Sequence, residues 1–141
     1  MREYVRRQTA ILLRRFAFQV SRAARSGDAD SIHDLRVAIR RLSRCLSVFS
    51  QFYPDRSWKK IRRELADLRD RAGAVRDCDI ALELLTASGI PAGAGIVVYL
   101  QAERRRAGQE LLLEVRWWKR RGFSRKWRIR LELSPAGFRR S

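Results

Sequence analysis

His33, Arg36, Arg40 and Arg44 recur at three- and four-residue spacing, which places side chains on one face of a helix. A helix rises about 1.5 Å per residue, so these cationic groups leave the backbone roughly every 5–6 Å along one line. Such a row offers ion pairs and charge-assisted hydrogen bonds to something long and negative lying along it. Beside it runs a second row, Ile32, Leu35, Ile39, Leu42, Leu46 and Phe49, with the periodicity of a buried face.

The next helical stretch repeats the feature. Lys59, Arg62, Arg69 and Arg76 share a face, with Lys60 and Arg63 beside them, and the intervening positions on that face are Ala66 and Gly73. Small residues there let a polyanion approach the backbone while the long side chains clasp it. If the two helices are antiparallel neighbours, their cationic stripes form the walls of one groove. The competing reading is a pair of solvated faces with scattered ion pairs to Glu64, Asp67 and Asp70. Residues 31–76 hold 12 basic and five acidic side chains, so local pairing cannot neutralise the surface.

Other chemistries lack their residues. His33 is the only histidine, so a phosphohydrolase metal centre built on the His33–Asp34 pair has no further His ligands. His33 is therefore either a histidine at the core edge or a phosphate hydrogen-bond donor at the end of the arginine row. Asp77 and Asp79, two apart on a helix, point to different faces, and their expected role is to orient arginines. No Gly-rich phosphate loop, nucleophile elbow or Ser/His/Asp set is present. No catalytic residue, metal or cofactor is assigned, and the expectation is a non-enzyme.

Composition points the same way. The chain has 141 residues, 32 basic against 15 acidic, for a net charge of +17. Arginine supplies 28 of the 32, and its planar fork suits phosphate oxygens. Part of the Arg-to-Lys ratio can reflect genome composition, but the surplus of positive charge opposes compactness and calls for another reason. Cys45 and Cys78 fit no metal spacing and read as reduced, partly buried residues of a cytoplasmic protein. The longest near-apolar run, residues 89–100, is too short to span a bilayer, so no membrane partner is expected. The Arg-rich start of the chain superficially resembles a transit peptide, but its apolar spacing suits a first bundle helix better.

The elements that must position these residues are helices over about 2–25, 31–51, 55–85 and 94–118, packed as an up-and-down bundle in an all-α fold. Ser31 is the expected cap of the second helix, and Val5, Leu12, Phe16, Val20 and Ala23 are the inward face of the first. Residues 124–133 alternate as a strand would but also fit a helical face; a short extra C-terminal helix is expected, because a lone strand would have no partner. One domain over 1–134 is followed by a basic tail, 135–141. Residues 104–141 carry 13 basic and three acidic side chains among Trp117, Trp118, Phe123 and Trp127. That interleaving can bind single-stranded nucleic acid by stacking, but core or interface anchoring is the preferred role of the aromatics.

Two segments carry a resemblance. His33-Asp34-Leu35-Arg36-Val37 with Arg40-Arg41-Leu42, and Ala72-Gly73-Ala74-Val75-Arg76-Asp77-Cys78-Asp79-Ile80 on the next helix, resemble the two motifs of the CHAD family, the conserved-histidine α-helical domain. Ala72 and Ile80 depart from the family's Leu and Val. The match covers roughly residues 31–85. The resemblance implies a helical fold, no catalytic reaction, and binding of inorganic polyphosphate, with granules of that polymer among the cytoplasmic locations. It marks His33, Arg36, Arg40, Arg41 and Arg76 as motif positions; helical geometry adds Arg44, Lys59, Lys60, Arg62, Arg63 and Arg69. Family members usually carry two such bundles in tandem and this chain has length for one, so either a homodimer rebuilds the pair or this is half a domain from a truncated gene; the homodimer is expected. The rival readings are a non-specific RNA or DNA binder using the C-terminal third, and an accessory domain of a phosphatase or triphosphatase.

Overall fold

The connections decide how the helices lie. In the computed structural model, which describes residues 1–133, helices α1 (Arg2–Arg25), α2 (Ala29–Val48), α3 (Asp55–Ala87) and α4 (Gly95–Arg120) are followed by a short α5 (Phe123–Arg130). Each long helix is joined to the next by a short link, so sequential helices fold back antiparallel. α1 packs on α2 and α4, and α3 packs on α2 and α4, which closes a four-helix ring. The fold is all-α, with no strand among the described residues. No described helix is long and apolar enough to cross a membrane.

Asp28, not Ser31, caps α2. Its carboxylate accepts from the Ser31 backbone N–H at 2.8 Å, and that bond holds the acid below its usual pKa. Ser31 lies inside the first turn and is buried. The expected cap was three residues late, because the helix gains a turn once Asp28 satisfies its orphan donors.

α2 ends at Val48 rather than Gln51, and a single 3-10 turn spans Ser50–Phe52. Pro54 forces the preceding Tyr53 into an extended conformation, φ −114° and ψ 155°, and α3 starts immediately afterwards. Tyr53 then turns inward. Thr9 Oγ1 donates to Val5 O at 2.7 Å, so the Tyr53 hydroxyl is the donor in its 2.6 Å bond to Thr9. Burial pushes the phenol well above its ordinary pKa, and Tyr53 remains a protonated donor. This bond pins the α2–α3 connection to α1. Tyr53→Phe should cost about 1 kcal/mol, read as a lowered urea midpoint with unchanged helical circular dichroism.

The core follows the apolar rows. Ile32, Leu35, Ile39, Leu42 and Leu46 of α2 meet Ile61, Leu65, Leu68, Ala72 and Val75 of α3, all essentially without exposure. On α1 the buried leucine is Leu13; Leu12 is only half-buried at the rim. At one end Phe16, Trp118, Phe123 and Trp127 form a closed aromatic cluster, centroids 5.2–5.9 Å apart. α5 reaches it through Gly122, whose φ of 63° turns the chain sharply after α4. Trp127 settles the reading of the C-terminal segment: a helix over Phe123–Arg130 seats its ring on Phe16. The basic tail expected over 135–141 lies outside the described residues.

Candidate anion-binding groove

The flanks of α2 are set by its neighbours. Asp34 is ion-paired with Arg22 of α1, and Cys45 lies 3.6 Å from Thr9 of α1. With about 100° between successive residues, Arg36 and Arg40 leave α2 on the opposite flank, toward α3. On α3 the flank facing α4 carries Glu64, Arg71 and Asp79, each reaching an α4-side partner. The other flank, facing α2, carries Arg62, Arg69 and Arg76. The helices run antiparallel, so His33 and Arg36 lie beside the Arg69–Arg76 stretch, and Arg44 lies toward Arg62.

The two flanks of α3 differ in charge balance. Toward α4, Arg104 Nε meets Asp79 Oδ1 at 3.0 Å, and its second nitrogen donates to Gly27 O at 2.8 Å. Arg121 donates to Glu64 at 3.1 Å while lying 4.3 Å over the Trp117 ring. Arg71 stands 3.8 Å from Glu114, which also accepts from the Trp118 indole at 3.0 Å. Two acids of α3, Glu64 and Asp79, are therefore held toward α4.

Toward α2, little compensates the cations. Lys59 bonds Asp55 at 3.1 Å, and this lysine lowers the Asp55 pKa. Arg69 reaches its neighbour Asp70 only at 3.8 Å, and Arg76 reaches Glu83 at 4.0 Å. Arg36, Arg40, Arg44 and Arg62 have no ion pair among the described residues. Arg36 is half-buried and its Nε is buried without an acceptor. A buried guanidinium nitrogen with no partner carries a desolvation cost. His33 is exposed, which leaves it facing solvent at the end of the row rather than at the core edge.

Two of the sequence-derived positions, Arg41 and Lys60, are placed elsewhere, and a third, Arg63, lies at the margin. Arg41 leaves α2 on the α1 flank, where it lines a cleft of about 370 Å³ with Leu12, Arg15, Phe18 and Val37. Lys60 lies on the α4 flank of α3, one turn before Glu64. Arg63 points outward, at the edge of a shallow hollow it shares with Trp58, Lys59, Arg62 and Ala66. Helical rotation turns Arg41 and Lys60 away from the row formed by Arg36, Arg40, Arg62, Arg69 and Arg76, while Arg63 stays beside Lys59 and Arg62.

Sequence reasoning missed the interhelical ion pairs Arg22–Asp34, Arg104–Asp79 and Arg121–Glu64. Asp79 does orient an arginine as expected, but the arginine comes from α4. The one signal for Glu64 was an acid flanking the apolar row of α3; nothing in the sequence named its partner. Among the described residues no group of three or more His, Cys, Asp or Glu gathers as a metal site would require.

No curated protein and no solved structure matches the chain. The family model of the CHAD domain matches residues 8–140. That span reaches well beyond the two motif helices, taking in most of α1 and all of α4 and α5, and the chain belongs to the CHAD family.

Proposed function

We propose that the α2–α3 groove binds inorganic polyphosphate and does not cleave it. The observation that carries this reading is the division of charge on α3. Its α4 flank pairs Glu64, Arg71 and Asp79 across the interface, while its α2 flank presents Arg62, Arg69 and Arg76 opposite Arg36 and Arg40 with almost no acid between them. Keeping such a surface costs self-repulsion, which a bound polyanion relieves. A flexible phosphate chain, with an anionic charge at each unit, displaces its counterions onto this row, and the Arg forks take two oxygens at a time. His33 and Arg76 donate at one end of the row, and Arg62 and Lys59 at the other. A cytoplasmic protein acting on this polymer, granules included, fits the reading.

The nucleic-acid alternative loses its stacking platform. Trp118, Phe123 and Trp127 are buried in the aromatic cluster, and exposed Trp117 is already covered by Arg121. A competition titration at physiological salt decides between the two. Long-chain polyphosphate should displace labelled polyphosphate well below the concentration at which single-stranded RNA or duplex DNA does. Equal competition by nucleic acid overturns selective binding. Affinity should fall steeply as salt rises, as for other polyanion binders. Release of orthophosphate from polyphosphate or triphosphate, with or without Mg²⁺, overturns the non-catalytic assignment.

A further inference from the structure

The cleft between α1 and α2 that holds Arg41 lies on the flank of α2 away from α3, and its lining changes character along its length. Two contacts set the antiparallel register of the helices: Arg22 pairs with Asp34, and Thr9 meets Cys45. Between those levels Phe18 stands beside Val37 and Ala38, and Arg15 stands beside Arg41, with Arg14 next to it.

The cleft therefore has three zones. At one end the Arg22–Asp34 ion pair closes it and occupies the only carboxylate of the lining. The middle is apolar: Phe18 is 59% exposed, and Val37 and Ala38 are half-buried. The other end is cationic, because Arg14, Arg15 and Arg41 are exposed and have no ion pair among the described residues. The one acid of α1, Glu3, lies about three turns from Arg14. Gln19 also lines the middle zone. Its carbonyl oxygen is buried without a hydrogen-bond partner, so turning the amide toward a ligand gives up no bond at that oxygen.

We infer that this cleft binds a small amphipathic anion, an apolar body ending in a single carboxylate or related oxyanion. A volume of about 370 Å³ suits a small molecule. The guanidinium forks at the cationic end take the oxyanion through charge-assisted bonds, and the body covers Phe18, Val37 and Ala38 and removes them from water. Other occupants match fewer of the zones. A polyphosphate chain carries charge at every unit and would lay it against the apolar middle, where Gln19 is the one polar side chain. A neutral apolar molecule leaves three arginines without a counter-charge. A second copy of the chain, at +17, adds cations to a cationic end. The site is independent of the proposed polyphosphate groove, because it uses the opposite flank of α2.

Fluorescence titration at physiological salt with anilinonaphthalene sulfonate, an apolar aromatic body bearing one anionic group, tests the site. Its uncharged parent, phenylnaphthylamine, isolates the part played by charge. The sulfonate should bind the folded chain saturably and about tenfold or more tightly than the neutral parent. Arg15→Gln with Arg41→Gln should remove most of that advantage and leave binding of the neutral parent unchanged. Phe18→Ser should weaken both probes. All three positions are half-exposed or more, and near-ultraviolet circular dichroism checks that each variant keeps its packing. Arg105→Gln with Arg116→Gln removes an equal charge from exposed positions of α4 and should change neither probe. Decanoate should displace the sulfonate, and orthophosphate at the same concentration should not. Equal affinity for the charged and neutral probes overturns the anionic class of ligand. Equal weakening by the α4 control, or full binding to the Phe18 variant, overturns the location. Displacement by orthophosphate as effective as by decanoate shows a plain phosphate site and overturns the amphipathic one.

Discussion

Joint replacement of Arg36, Arg40 and Arg76 by alanine is expected to weaken polyphosphate binding by about two orders of magnitude. Each charge-assisted bond contributes roughly 1.5–3 kcal/mol, but a flexible chain re-engages neighbouring cations such as Arg62 and Arg69, so the losses fall short of their sum. The same substitutions should flatten the dependence of log affinity on log salt by about two to three units of slope, one for each lost phosphate contact. Removing Arg125, Arg128 and Arg130 from α5 deletes an equal charge but no part of the groove, and should weaken binding only a few-fold. Isothermal titration with a defined chain length at two salt concentrations checks both effects. The reverse ranking moves the site to the C-terminal third.

Removing a single tryptophan should have the largest effect on the fold. Trp127 is 1% exposed, stacked on Phe16 at 5.9 Å with a 7° interplanar angle, and edge-on to Trp118 and Phe123 at 5.2 Å each. Trp127→Ala should cost about 3–5 kcal/mol, the transfer energy of the ring plus the cavity left behind. An eight-residue helix has little stability of its own, so α5 should detach with it. Urea unfolding and near-ultraviolet circular dichroism report both effects. Trp117→Ala, at a position 47% exposed, should shift the midpoint little. A mild Trp127 variant would return the aromatic residues of this segment to the surface and revive the stacking role for nucleic acid.

Much of this was legible in the chain because it follows from rotation about a single helix. The apolar rows of α2 and α3 and the cationic rows beside them need only the 3.6-residue repeat. The row on α2 therefore matches the buried residues from Ile32 to Leu46, and the position of Arg36 and Arg40 relative to that row was readable as well. The same reasoning fails one residue off the row. Leu12 and Leu13 both fit an inward stripe, and only contact with the neighbouring helices selects Leu13. Arg41 and Lys60 are sequence neighbours of residues on the cationic rows, but each lies about 100° around its helix from the residue beside it.

By itself the sequence determined the helices, the two motif segments, the excess of arginine, and the absence of a second histidine from which to build a catalytic centre. These are properties of composition and short-range periodicity. Only the tertiary structure decided which arginines are held by carboxylates of a neighbouring helix. Arg22, Arg104 and Arg121 meet carboxylates 12, 25 and 57 residues away, across helix interfaces that no local pattern encodes. The last two hold Asp79 and Glu64 of α3 toward α4. The row at His33, Arg36 and Arg40 faces its counterpart at Arg62, Arg69 and Arg76 because antiparallel packing joins the two helices along that flank.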